Sequence, residues 1–386
     1  MKICHYITRL DLGGSAENTL CTVLGLYQKG YAVEIVCGVS DNPPGESEKK
    51  ARGLGIPIVR DANLGRQISP LRDLRALLFL LGHLRKNRCD ILHTHTSKAG
   101  IIGRVAGLLA GVQCIVHTPH GHIFYGYFSK QLTRVFVWLE WLTTIWTDAL
   151  ITLTNQEKQD YLRKKICPER KIHPILSGID LAPFLAPKRN HDGLRTSLGL
   201  GPSDFVAGTV ARLVPIKNHD LIISAAAVVA GQCPNLRFVF IGDGETRPAL
   251  EARIRSLGLA YRFVLTGWRN DIAECLSLFD LFIMCSHNEG MGRAFVEAQA
   301  SGLPVIGSRV GGVEEVMDEG KTGFLIEPGD AGRLAEYVLR LFRDRPLRER
   351  MAVESRAFVM PRFSADVMVD KIEKLYQDTL AGRSRR

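Results

Sequence analysis

The sequence contains no uncharged apolar run approaching the roughly 18 residues that a membrane-crossing helix needs. Its N-terminal stretch, MKICHYITRL, lacks the apolar core of a secretory signal and runs directly into a strand-like pattern, so the expectation is a cytoplasmic protein. Nine cysteines occur without a single Cys-x-x-Cys spacing and sit inside apolar segments. That pattern argues against a disulfide framework or a zinc site and reads as small buried hydrophobes. There is no internal repeat and no tract with collagen, mucin or prion-like bias, which leaves an ordinary packed globular protein.

With 386 residues the chain exceeds one typical hydrophobic core, and two domains are expected. The net charge of +10 is unevenly placed: residues 1 to 185 hold 23 Lys and Arg against 15 Asp and Glu, whereas the remainder is nearly balanced at 27 against 25. A basic N-terminal half favours an anionic partner, whether nucleic acid, an anionic membrane face or a phosphate-bearing substrate. For a single cluster such as Arg163-Lys164-Lys165 a merely solubilising surface is an equal reading.

Short aliphatic runs alternate with longer helical patterns, the signature of a parallel-sheet α/β architecture. YAVEIVCG, CDILHTH, QCIVHTPH and DALITLT are strands of the first half; FVAGTVAR, LRFVFIGDG, RFVLTGW, DLFIMCS and GLPVIGS are strands of the second. AENTLCTVLGLYQKG reads as a helix stopped by Gly30, and NHDLIISAAAVVAG as one capped by Asn218 and closed by Gly231. Residues 177 to 204, rich in Gly and Pro, read as a linker between two Rossmann-like domains facing each other across a cleft, with ligands outside the carboxyl ends of the strands.

Several motifs fall at those strand ends. RLDLGGSAENTL places Gly13 and Gly14 where backbone N–H groups can approach an anion, although a tight turn explains an isolated Gly-Gly pair equally well. IGDGETRPALE is no more specific, and the acidic ribose reader expected about 20 residues after a dinucleotide motif is missing. In GTVARLVPIKNHD, Arg212 and Lys217 flank a Pro-containing turn. As two fixed cations they can hold a diphosphate from both sides; as loop residues they can simply be surface charges. In EGMGRAFVE, Glu289 follows a strand and Glu297 lies about one turn inside a helix, with Gly290 and Gly292 clearing the space between. Two carboxylates beside free helix N–H groups suit a polyhydroxylated, anionic ligand such as a nucleotide sugar. The competing reading makes Glu297 a first-turn acid offsetting the helix dipole and Glu289 a loop charge.

Taken together, these segments resemble the retaining GT-B glycosyltransferases of family 4, the group 1 enzymes. EGMGRAFVEAQASGLPVIGSRVGGVEEVMDEGKTGFLIEPGD is similar to their donor-sugar signature, ARLVPIKN to their diphosphate-binding loop and DLGGSAENTL to their N-terminal glycine loop. SGIDLAPF resembles the interdomain hinge, and RFSADVMVDKIEKLY the C-terminal helix that crosses back onto the first domain. The resemblance implies an acceptor-side domain over 1–180, a nucleotide-sugar-binding domain over 195–360 and a returning helix over 361–380. It further implies that Arg212 and Lys217 stabilise the leaving diphosphate, Glu297 binds the ribose and Glu289 the transferred sugar. Backbone N–H groups of Gly290, Met291, Gly292 and Arg293 would contact sugar or phosphate, with Met291 and Arg293 at variable positions that bear on donor preference. VHTPHGHIFYG is similar to the segment of the active-site histidine, matched to His120 with His117 and His122 as competitors; His95, Ser97 and Lys98 of HTHTSKAG, on a loop after a strand, would lie on the acceptor side.

No Asp-x-Asp occurs in the chain, so the usual divalent-metal anchor for a sugar diphosphate is missing; neither a metal nor another cofactor is expected. The resemblance implies front-face transfer, the departing phosphate taking the acceptor's proton, and a reaction resting on positioning and electrostatics. The donor expected is a UDP-sugar and the acceptor a glycan or polyprenyl-linked saccharide. KQLTRVFVWLEWLTTIWTD sets Phe136, Trp138, Trp141 and Trp146 on a helical stretch flanked by Lys130 and Arg134. Such a stretch can lie in a membrane interface, which would place the protein peripherally at the inner face of the cytoplasmic membrane, but core packing is the commoner use of the pattern. A sugar-nucleotide epimerase or hydrolase of the same architecture and a non-catalytic partner subunit are the alternatives. A nucleic-acid binder is suggested by charge alone and has no reader motif; nucleic acid is not an expected partner.

Overall fold

The computed structural model describes the chain apart from residues 12, 41–43, 66, 121–129, 187–190 and 385–386. It comprises two units, Met1–Ile179 together with Ala365–Arg386, and Asp180–Ser364.

The first unit is built on seven strands: β1 (Lys2–Ile7), β2 (Ala32–Gly38), β3 (Ile58–Asp61), β4 (Ile91–His95), β5 (Cys114–Thr118), β6 (Ala149–Thr152) and β7 (Ile172–Pro174). All pair in parallel, in the order β3-β2-β1-β4-β5-β6-β7. The second unit has six, β8 (Phe205–Val210), β9 (Leu236–Ile241), β10 (Phe263–Gly267), β11 (Leu281–Met284), β12 (Val305–Ser308) and β13 (Gly323–Ile326), in the order β10-β9-β8-β11-β12-β13. Every strand that the sequence predicts forms. The strands it missed, β3, β7 and β13, are sheet edges of three or four residues, too short to show a period. In each sheet the strand order reverses once, between β1 and β4 and between β8 and β11, which opens a crevice at the carboxyl ends of those strands.

Both faces of each sheet are covered, so the central strands are buried on both sides and read as continuous apolar runs. In the first unit Ile3, Ile7, Val33 and Ile35 meet the helices Gly14–Gln28 and Ala365–Ser384, while Cys4, Tyr6, Val36 and Leu92 meet Pro70–Asn87 and Ser97–Ala110. The terminal helix lies so close to Gly14–Gln28 that a Cβ on Gly25 would stand 2.5 Å from Val369. Lys29 bridges to Asp370 and Glu373 across the same contact. Ala182–Leu185, a short helix within the Gly- and Pro-rich region, packs on Ile272–Leu276 and Arg293–Ala300 and so belongs to the second unit.

Gly30 stops the first helix in the left-handed region at φ 86°. Asn218 does precede the helix His219–Val229, but it too is left-handed, at φ 48°, and its side chain accepts no N–H from the helix, so the cap expected there does not form.

The aromatic stretch forms the helix Lys130–Thr144, and a buried polar contact helps to anchor it. Glu140, buried, takes a hydrogen bond of 2.8 Å from the fully buried Arg104 on Ser97–Ala110. Pinning Glu140 inward leaves Val135, Trp138 and Trp141 on the outer side, with Trp138 55% exposed. Core packing therefore does not account for those residues; Trp146, beyond the helix, does pack partly buried against the core.

Candidate functional site

In the second unit the two strands flanking the reversal carry the predicted residues. β8 leads into Arg212 and then the single turn Pro215–Lys217; β11 leads into Ser286 and Glu289. His287 N donates to Ile216 O at 2.8 Å, tying the two loops together. Across this tie Lys217 forms an ion pair with Glu289, whose Oε2 also accepts from Ser286 Oγ at 3.1 Å. The side chains of the pair are 17% and 15% exposed, screened from bulk water yet still reachable. Lys217 keeps two further N–H donors and Glu289 further lone pairs, so the pair can bind anionic and hydroxyl groups side by side. Arg212 is exposed and, among the described residues, enters no ion pair; the structure brings Lys217 to Glu289 rather than to Arg212.

Backbone packing holds this geometry. Gly311, at φ 53°, lies so close to the Glu289 carbonyl that a Cβ would stand 1.9 Å from its oxygen, and Gly312 N donates to that oxygen at 3.2 Å. Gly292 enters the helix Arg293–Ala300 in the left-handed region at φ 77°, where a Cβ would meet the Phe295 ring at 2.8 Å. Gly290 borders open space. Glu297 is the fifth residue of that helix and the first turn carries no acid, which removes the reading of Glu297 as a first-turn charge. Arg293 lies 4.0 Å from Glu297 one turn away, and Met291 is buried. The GDG turn supports the other loop: Leu213 N donates to Asp243 O and Thr246 N to Leu213 O, both at 3.0 Å.

In the first unit Gly13 directly precedes the helix that Gly14 begins, at the carboxyl end of β1. The loop expected for HTHTSKAG is absent. His95 is the buried last residue of β4, and Ser97 and Lys98 open the helix Ser97–Ala110. A helix forms because Thr96 turns the chain at φ 65°, after which its carbonyl accepts from Gly100 N at 2.8 Å. Lys98 is engaged by Asp73 at 2.5 Å.

The histidine alternatives separate. His117 is fully buried on β5, its Nδ1 2.9 Å from Thr94 Oγ1. Burial, reinforced by the nearby Arg104 guanidinium, holds its imidazole well below the usual range and therefore neutral. His120 lies two residues past β5 in the left-handed region, at φ 58°, with Nε2 2.8 Å from His95 Nδ1. His122 lies outside the described residues. A non-glycine residue at positive φ is uncommon, and Thr96 and His120 both stand at carboxyl ends of adjacent central strands.

Two family models match this chain: Glycosyltransferase Family 4 over residues 12–183 and Glycosyl transferases group 1 over residues 192–358. An Escherichia coli protein, UDP-Gal:alpha-D-GlcNAc-diphosphoundecaprenol alpha-1,3-galactosyltransferase, is 34% identical, with 99% of this chain and 98% of the relative covered. The chain is a family 4, group 1 glycosyltransferase. A second relative, EpsD of Bacillus subtilis, is 29% identical over 90% of each chain. Anabaena HepE, solved in complex with UDP-glucose, superposes with a TM-score of 0.83 at 24% identity over 98% of this chain and 100% of its own; at that identity the likeness shows the GT-B fold alone.

For a glycosyltransferase the Lys217–Glu289 pair, Ser286 and the Gly311–Gly312 backbone were not legible as a unit. Each of the two ionic residues was visible singly, but their partnership joins positions 72 apart in sequence. The Gly-Gly of SRVGGVEE was the available signal for the close approach at Glu289.

Proposed function

We propose that the protein is a retaining, metal-independent glycosyltransferase that moves a hexose from a UDP-sugar onto a polyprenyl-diphosphate-linked saccharide in cell-surface polysaccharide synthesis. The observation that carries the reading is the Lys217–Glu289 ion pair at the strand reversal of the second unit, where an ammonium and a carboxylate sit together for a phosphate and a sugar hydroxyl. Arg212, exposed at the end of β8, supplies the second cation for the leaving diphosphate, and Glu297, one turn inside its helix, the carboxylate for the ribose. The backbone N–H groups from Gly290 to Arg293 complete the donor pocket. In the first unit the Gly13-Gly14 turn and His120 serve the reacting centre. The E. coli relative's donor and lipid-diphosphate acceptor support the substrate class.

A screen of nucleotide sugars by thermal shift tests the donor. At about 100-fold over Kd a true donor stabilises the fold by about 2.7 kcal/mol, a shift of a few degrees for a chain this long. UDP-hexoses are expected to give that shift with EDTA present, whereas GDP-mannose and ADP-glucose are not. Transfer onto a short-chain GlcNAc-diphospholipid, with the product's anomeric configuration read by NMR, tests the acceptor and retention together. Loss of turnover in EDTA, or an inverted product, rules out the corresponding part.

The acceptor's lipid would bring the enzyme to an anionic membrane surface. No helix of the described residues is long and apolar enough to cross a membrane. Three neighbouring helices of the first unit nevertheless turn apolar side chains outward: Leu71, Leu74 and Leu78 on Pro70–Asn87, Leu108 and Leu109 on Ser97–Ala110, and Trp138 and Trp141 on Lys130–Thr144. Arg72, Arg75, Arg85, Lys86 and Arg134 stand exposed among them. The two acids of these helices are spoken for, Asp73 by Lys98 and Glu140 by Arg104. Apolar residues framed by unopposed cations suit shallow insertion among anionic headgroups. Co-sedimentation with phosphatidylglycerol vesicles is expected, falling with salt and lost in the Leu71→Ser/Trp138→Ser variant; equal binding to phosphatidylcholine, or none to either, rejects the surface.

A further inference from the structure

Toward the amino ends of the first unit's strands, two thiols, a carboxylate and an imidazole converge from separate parts of the chain. Cys4 of β1 and Glu34 of β2 are partners in register, His83 lies near the end of the helix Pro70–Asn87, and Cys89 shortly precedes β4. Glu34 Oε1 stands 2.9 Å from His83 Nε2 and 3.3 Å from Cys89 Sγ. The sulfur of Cys4, the carboxylate oxygen of Glu34 and the imidazole nitrogen of His83 lie within 4.8 Å of one another. Cys89 is in turn the neighbour that acts most strongly on the Cys4 thiol.

The protein alone compensates this carboxylate poorly. Cys4, Glu34 and Cys89 are 0, 5 and 6% exposed. Among the described residues Glu34 forms no ion pair with Lys or Arg; its partner is His83, and Lys2 acts on it only from beyond ion-pair distance. The other donors facing it are thiols, which are weak. A buried carboxylate is ordinarily matched by a full countercharge or by a metal. Asn87 does not take the imidazole out of the cluster. Its Nδ2 is 3.2 Å from His83 Nδ1 and 3.1 Å from Nε2, and such near-equal distances place the amide over the ring face, clear of both in-plane nitrogen positions. The His83 side chain, 13% exposed, gives the cluster an opening to solvent.

We propose that Cys4, Glu34, His83 and Cys89 form a structural Zn2+ site. Two thiolates, an imidazole and a carboxylate are the mixed donor set that zinc takes in four-coordinate, tetrahedral sites. Zinc bonds of about 2.0–2.3 Å set ligand atoms about 3.3–3.8 Å apart, so the contacts of 2.9 and 3.3 Å at Glu34 need only open slightly around the ion. Zn2+ takes the place of the two S–H protons, which leave to solvent, and binds the imidazole at Nε2 with its proton on Nδ1. The ion ties β1, β2 and the helix Pro70–Asn87 to the start of β4. It sits at the opposite end of the sheet from the crevice and takes no part in glycosyl transfer. The first unit's histidine triad, His5, His93 and His95, carries no such site, because both His93 nitrogens are engaged outside it, by Tyr376 OH at 2.6 Å and Thr118 Oγ1 at 2.8 Å. Spacing along the chain could not announce the site, whose ligands stand at positions 4, 34, 83 and 89.

The full chain, stripped of metal by a chelator under reducing conditions and then given Zn2+ or Co2+ alone, provides the test. One Zn2+ per chain is expected to bind, raising the unfolding midpoint by a few degrees at about 100-fold over Kd. Co2+ in its place is expected to give the strong visible absorption of a tetrahedral ion together with thiolate-to-cobalt charge transfer, a readout that needs no activity. The Cys4→Ser/Cys89→Ser chain is expected to lose the charge transfer and Cys21→Ser to keep it. His83→Gln is expected to weaken Zn2+ binding by more than about a hundredfold, past the range for losing an outer partner. Absence of thiolate charge transfer in the parent overturns the site whether or not the variants fold, and so does equal Zn2+ affinity in the parent and a folded His83→Gln chain.

Discussion

Lys217→Ala is expected to lower kcat/KM by about 10²–10³-fold, the cost of removing one fixed donor from a site where negative charge develops, as proposed for Lys217 at the leaving diphosphate. Glu289→Ala is expected to do comparable damage by a different route. It removes the carboxylate proposed for the sugar and also leaves the Lys217 ammonium, only 17% exposed, without its counter-ion. Because the two side chains form one ion pair, their effects should not add; the double alanine variant is expected near the worse single one. Glu289→Gln separates geometry from charge, since the amide keeps an acceptor for Ser286 Oγ while removing the countercharge. Steady-state kinetics beside circular dichroism and thermal unfolding decide the matter. Turnover within about threefold of the parent in both single variants would remove the pair from the mechanism.

Arg104→Leu is expected to destabilise the first unit by about 3–5 kcal/mol, because it leaves Glu140 buried without its partner. Glu140→Leu strands the guanidinium and is expected to cost a similar amount. Replacing both, as Arg104→Met with Glu140→Leu, should recover most of the loss, since well-packed apolar residues often substitute for a buried ion pair at little cost. Urea unfolding gives the three values, and a single variant within about 1 kcal/mol of the parent would show that the pair does not fix the helix Lys130–Thr144. The consequence reaches the outer surface, because the same pair helps to decide which residues of that helix are left outside.

The parts of the fold that could be read in advance share a local cause. Central strands such as FVAGTV and LRFVFI are continuous apolar runs because a parallel sheet buries them on both faces, and Gly30 marked a helix end because its φ of 86° suits glycine. HTHTSKAG misled because a β-branched residue is a poor guide to a sharp turn: Thr96 at φ 65° lets strand pass directly into helix, held by its contact with Thr8 Oγ1 at 2.7 Å. The aromatic helix misled for a related reason. Apolar period alone does not say which side of a helix faces inward when buried polar contacts such as that of Glu140 with Arg104 also hold it.

By itself the sequence determined the α/β class, the positions of most strands along the chain and the family, because each is written in local pattern and in motifs a few residues long. It also placed Arg212, Lys217 and Glu289 in loops after strands and Glu297 about one turn inside a helix. Only the tertiary structure decided which of these meet. Lys217 reaches Glu289 because the sheet order reverses between β8 and β11, and His120 reaches His95 because β4 and β5 are neighbours in register. Contacts of that kind depend on strand order and on long-range backbone approaches such as Gly311 against Glu289, and neither is carried by a local run of residues.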